Sequence, residues 1–169
     1  MKNFYIFLDI DGVLTDNEFV KQNFLKGIKP TTKHFKPESV SALNYLFEYL
    51  SKDYNVNLVI SSVWRSYMDE TLYYFKKNKI DLSKVKSIDK TDYFYDEGRK
   101  NDRCQEIKNY LKKHKEKQNY LVIDDEANYF DFPKDKKIVT NIYNNALNFD
   151  MVAKWKKSFE NKENNEKML

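Results

Sequence analysis

Phe7-Leu8-Asp9-Ile10-Asp11-Gly12-Val13-Leu14-Thr15-Asp16 is the stretch whose reading decides the fold of this 169-residue chain. It closes the apolar run Phe4–Leu8, which has the pattern of a strand buried on both faces. The run ends in two carboxylates separated by one residue, and a glycine follows. A buried strand that breaks into acids at its carboxyl end is the arrangement a parallel α/β sheet uses to present ligands.

Two further runs repeat the arrangement. Val56–Ile60 leads into Ser61-Ser62-Val63-Trp64-Arg65, and Tyr120–Ile123 leads into Asp124-Asp125-Glu126. Val85–Ile88 and Lys137–Thr140 are weaker strand candidates. Helical spacing appears between them. Pro37 suits a first turn, and Val40, Leu43, Leu46, Phe47 and Leu50 follow on one face. Further helices are expected over Tyr67–Asn78, Arg99–Lys117 and Ala146–Phe159. Alternating strands and helices imply a Rossmann-like three-layer α/β sandwich around a parallel sheet of about five strands. One domain is expected over residues 1–160, with a frayed polar tail over 161–169.

Composition narrows the class. The chain is 41% hydrophobic and 33% charged, with net charge +4, so it is an ordinary globular sequence. Its lysines are spread along the chain, which permits a polyanionic partner without arguing for one. Only Arg65, Arg99 and Arg103 are arginines, and their planar forks can clamp an oxyanion as lysine cannot. The single cysteine, Cys104, allows no internal disulfide and suits a reducing cytosol. Phe4–Leu8 is too short for a signal segment, and no run could span a bilayer. A cytoplasmic protein with no membrane partner is expected.

The topology gathers Asp9, Asp11, Asp124, Asp125, Ser61, Ser62 and Arg65 along one sheet edge. Crowded carboxylates repel and call for a cation. Oxygen donors without His or Cys select a hard ion, and Mg2+ is the natural choice. A carboxylate is also a nucleophile toward phosphorus, and hydroxyls or cations can hold the transferred oxygens.

These residues resemble the motifs of the haloacid dehalogenase-like (HAD) superfamily. Asp9-x-Asp11-Gly-Val-Leu-Thr-Asp looks like its first motif, Ser61 its second and Asp124-Asp125 its fourth. The third, a basic residue near a helix start, falls among Arg99, Lys100 and Arg103. The set S-S-x-W-R, R-x-x-E-I and D-D-E is similar to the HAD domains grouped with Swiss Army Knife RNA repair proteins, over roughly residues 4–148. The resemblance implies a phosphatase with Asp9 as nucleophile and Asp11 as general acid and then base. It implies Ser61 as a phosphoryl ligand, with Ser62 the alternative, and Arg103 as the charge-offsetting residue, with Arg99 its rival. Mg2+ would be held by Asp9, Asp124 and the carbonyl of Asp11, with Asp125 in support. Gly12 would bring backbone close to the phosphate. Arg65 is a candidate phosphate clamp or a structural ion pair, and Trp64 reads as a packing residue.

Other features have plainer readings. His114 is expected in solvent, and His34 could lie near the site. The aromatics Tyr93–Tyr95 and Tyr129–Phe132 could stack on bases, but packing explains them more simply. Residues 15–36 are too few for a cap domain and are expected to form a hairpin or flap. An open site with five lysines in that flap favours a phosphorylated RNA or DNA end as substrate. A small-metabolite or nucleotide phosphatase is the alternative, and a catalytically silent binding module the third reading.

Overall fold

The computed structural model describes residues 1–29, 33–96, 99–100, 102–117 and 119–167. Side chains are described for these except at 95–96, 99–100 and 163–167. The chain runs β1 (Lys2–Leu8), α1 (Asn17–Leu25), α2 (Pro37–Leu50), β2 (Tyr54–Ile60), α3 (Met68–Lys77), β3 (Ser87–Lys90), β4 (Tyr95–Asp96), β5 (Arg99–Lys100), α4 (Arg103–Lys113), β6 (Tyr120–Asp124), β7 (Lys137–Val139) and α5 (Phe149–Lys167). A 3-10 helix, Val63–Tyr67, links β2 to α3.

The main sheet has five parallel strands in the order β3-β2-β1-β6-β7. Alternate residues of β1 face opposite layers, as the two-residue period of a strand requires. Phe4, Ile6 and Leu8 pack into a core with α2, α3 and α5, through residues such as Leu46, Phe75 and Trp155. Tyr5 and Phe7 pack on the other side against Ile107, Tyr110 and Leu111 of α4. Both faces are covered, which explains why Phe4–Leu8 and Tyr120–Ile123 read as unbroken apolar runs and Val56–Ile60 as one interrupted only by Asn57. The direction of winding reverses at β1, whose neighbours are β2 and β6, so the carboxyl end of β1 lies at the switch point where ligands bind.

Several boundaries differ from the sequence reading. The helix expected from Arg99 starts at Arg103, because Asp102 caps it by accepting from the Gln105 amide at 3.0 Å. Residues 99–100 instead pair antiparallel with 95–96. The helix expected from Ala146 starts at Phe149, where Asn148 Oδ1 accepts from the Met151 amide at 3.1 Å. It then runs through the tail expected to fray, as far as Lys167. Lys162 pairs with Asp135 at 2.8 Å, and Tyr49 donates to Glu160 at 3.1 Å, tying that extension to the body. The flap contains helix α1, which buries no residue. Asp16 roots it: one oxygen accepts from the Phe19 amide at 2.8 Å, and the other meets Lys36 Nζ at 3.0 Å. Among the described residues no helix is long and apolar enough to cross a membrane.

Candidate active site

Asp9 sits one residue past β1, held in the sheet by its amide donating to the Ile123 carbonyl at 3.0 Å. Asp124 ends β6 on the neighbouring strand. Both are buried, at 4% and 0% exposure. Asp125 follows at the rim. Asp9, Asp124 and Asp125 each offer a carboxylate oxygen, all within 4.8 Å of one another.

Among the described residues one cation meets this cluster. Arg103 is the first residue of α4, and its Nη1 donates to Asp9 Oδ2 at 2.8 Å and to Asp124 Oδ2 at 2.6 Å. The other Asp124 oxygen accepts from the Glu126 amide at 2.8 Å. The Ser62 hydroxyl acts on Asp9 in the direction that favours its carboxylate. Electrostatics follow from burial. Burial pushes the Asp9 carboxyl up, against the pull of Arg103 and Ser62. Asp124 is pushed up to about 7, by burial and then by the Asp9 charge. Asp125 is pushed up to about 6 for the same reasons. Burial weakens the Arg103 charge, but Asp9 and Asp124 outweigh it and hold the guanidinium protonated more firmly than usual. The donors are oxygens only and their charge exceeds what one arginine offsets, so the cluster fits a hard divalent cation.

Gly12 makes the close approach of the two acidic loops possible. Its φ is +82°, and a Cβ there would stand 2.7 Å from Asp125 Cγ and 2.9 Å from Oδ2. Only glycine fits both the backbone and the space.

Asp11 is arranged differently. It is exposed, and its side chain lies outside the three-carboxylate cluster. Its Oδ2 accepts from Trp64 Nε1 at 2.9 Å. Trp64 reads from sequence as a packing residue. It does pack, against Phe35 and Tyr74, but its indole also fixes an acid. Nothing local in the sequence signals this contact, since 53 residues separate the partners.

The two serines have different surroundings. Ser62 reaches Asp9 and caps the 3-10 helix, accepting from the Trp64 amide at 3.5 Å. Ser61 is fully buried, and among the described residues its hydroxyl has no partner.

Arg65 is 3% exposed, and its guanidinium is committed inside the protein. Nη2 lies 2.9 Å from both Glu106 oxygens, and Nη1 donates to Thr91 Oγ1 at 3.1 Å. The Tyr93 ring lies 3.9 Å from its guanidinium carbon. This is the structural ion pair of the two readings, and it leaves no outward face for a phosphate clamp. Glu106 and Thr91 carry no assigned role in the sequence reading, and Tyr93 reads there as a packing aromatic that could stack on a base. The available signal was Glu106 itself, an acid beside Ile107 on the apolar face of α4. The pair joins the segment carrying Ser62 and Trp64 to the helix carrying Arg103, so it sets their spacing.

The side chain of Arg99 lies outside the described residues. His34 lines a cleft together with Asp11. The Tyr129–Phe132 group divides: Phe130 and Phe132 are core, while Tyr129 is 89% exposed.

A protein-family model described as the HAD domain in Swiss Army Knife RNA repair proteins matches residues 5–147. No curated protein matches the chain.

Proposed function

Because the chain belongs to the family of HAD domains in Swiss Army Knife RNA repair proteins, we propose that it is a magnesium-dependent phosphatase acting through an aspartyl-phosphate on Asp9. One observation carries this reading. Two acids two positions apart have opposite surroundings: Asp9 is buried against Arg103 and Asp124, while Asp11 is exposed and fixed by Trp64. Two carboxyls in contrasting environments are suited to two roles.

Asp9, Asp124 and Asp125 would hold Mg2+, which when bound offsets the charge of carboxylate and phosphate as they meet. An Asp9 oxygen forms the bond to phosphorus as the bond to the leaving oxygen breaks. Asp11 gives that oxygen a proton. The Trp64 N–H holds one Asp11 oxygen and leaves the other to carry it. Asp11, now a carboxylate, takes a proton from the water that attacks phosphorus, and Asp9 is released with inorganic phosphate. Ser61 or Ser62 and the Arg103 guanidinium supply donors to the phosphoryl oxygens.

The substrate we infer is a phosphorylated RNA or DNA end. Among the described residues the flap adds one helix and no cap domain, and Asp11 is exposed, which supports a site open to the end of a polymer. The test is kcat/KM on a 3′-phosphorylated oligonucleotide against mononucleotides and sugar phosphates, with magnesium or chelator, at two salt concentrations. Salt-sensitive, magnesium-dependent release of phosphate from the oligonucleotide is expected. Preference for a small metabolite would support the alternative substrate class. No turnover of any phosphate would favour a silent binding module.

A further inference from the structure

The phosphoryl-transfer chemistry does not use the flap, yet the flap builds a cleft against it. A cavity of about 170 Å³ is lined by Asp11, Asn23, Lys29, Lys33, His34 and Trp64 among others. Its wall is anchored, since Asp16 ties the root of α1 to Lys36 and accepts from the Ala146 amide at 3.3 Å.

The five flap lysines separate into groups. Lys36 is paired with Asp16 at 3.0 Å. Lys21 and Lys26 are exposed and do not line the cleft. Lys29 and Lys33 line it, and among the described residues neither has a carboxylate partner. The Lys33 ammonium stands 5.6 Å from the centroid of the Trp64 ring. Among the described residues, two cations outside any ion pair thus share with Asp11 a small cavity with an aromatic wall.

Position gives the cleft its meaning. In the reading above, which this inference rests on, Asp11 protonates the leaving oxygen. Whatever is bonded through that oxygen must lie beside the Asp11 carboxyl, and Asp11 is one of the residues that line the cleft. A leaving group with no charge of its own would give Lys29 and Lys33 nothing to pair with. One that carries a further phosphate would give each a charge-assisted hydrogen bond. We propose that this cleft is the subsite for a second phosphate on the leaving group, held by Lys29 and Lys33. The unit recognised is then a nucleotide phosphorylated on both sides of its sugar, as at the terminus of a nucleic-acid strand.

The test is binding to the full-length Asp9→Asn chain in magnesium. The probes are adenosine 3′,5′-bisphosphate, adenosine 3′-monophosphate and adenosine 5′-monophosphate. The bisphosphate should bind about tenfold tighter than the better monophosphate, the size of one hydrogen bond to a charged group. Lys29→Gln with Lys33→Gln should bring that ratio to about one, while the paired arginine substitutions keep it. A ratio near one in the parent, or a ratio that survives the glutamine pair, would overturn the assignment. Should the unaltered chain release phosphate neither from these compounds nor from a 3′-phosphorylated oligonucleotide while the binding ratio holds, the phosphatase reading fails and the assignment of the cleft to a second phosphate stands.

Discussion

Trp64 donates its indole N–H to Asp11 at 2.9 Å, and so fixes the one acid of the first loop that faces outward. Asp11 lies on the loop after β1 and Trp64 on the 3-10 helix after β2, so the bond spans two neighbouring strand ends. In the proposed reaction it orients the carboxyl that sheds and regains a proton in each cycle.

Replacing Trp64 with Phe should keep the ring packing against Phe35 and Tyr74 and lose the hydrogen bond. Loss of one hydrogen bond to a charged group predicts a fall in kcat of about tenfold or more. The fall should be larger for an alkyl phosphate than for a nitrophenyl phosphate, whose leaving group needs no proton. Equal loss on both would mean that Trp64 does not act through Asp11.

The strands were legible because each buried run has one reading. Val56–Ile60 lies within β2 (Tyr54–Ile60), and Tyr120–Ile123 within β6. Pro37–Leu50 is a helix over the bounds its apolar spacing suggests. Helix α1 was not legible, because its Val20, Phe24 and Leu25 are exposed and no stripe faces a core. The carboxylate cluster follows from topology and was readable. The partners of Arg65 and Trp64 were not, since they depend on where long side chains end once residues 26 to 53 positions apart in sequence have been brought together.

Arg65→Met should leave the Glu106 carboxylate buried without its partner. Breaking a buried pair in this way costs about 3–5 kcal/mol. The melting temperature should fall clearly, and the Arg65→Met, Glu106→Leu pair should recover part of the loss. A single substitution that leaves the melting temperature unchanged would show that the pair holds nothing together.

The metal-free site should make stability depend on pH with a definite sign. Burial raises the folded-state values of Asp9, Asp124 and Asp125 above the roughly 3.9 of an unfolded Asp. The folded state therefore binds more protons, and the contribution of these groups is fully present below about pH 4. It is lost as pH rises through the values of about 6 and about 7 for Asp125 and Asp124. In chelator, the melting temperature measured against an Asp124→Asn chain should fall as pH rises across that window. Saturating magnesium should flatten the difference. A rise with pH would contradict the assignment.

Gly12→Ala places a methyl group 2.7 Å from Asp125 Cγ on a backbone with φ +82°. Strain and displacement of Asp125 are both expected. Beyond lower stability, the rise in melting temperature produced by magnesium should shrink. An unchanged magnesium response would remove Asp125 from the metal site.

The central claim is that Asp9 becomes phosphorylated. Rapid mixing of the chain with a phosphorylated substrate in magnesium, then acid quench and borohydride reduction, tests it most directly, because reduction turns an aspartyl-phosphate into homoserine. Peptide mass mapping should find homoserine at position 9 during turnover and not before substrate is added. Turnover with Asp9 unmodified, or with the label on another residue, would contradict the account.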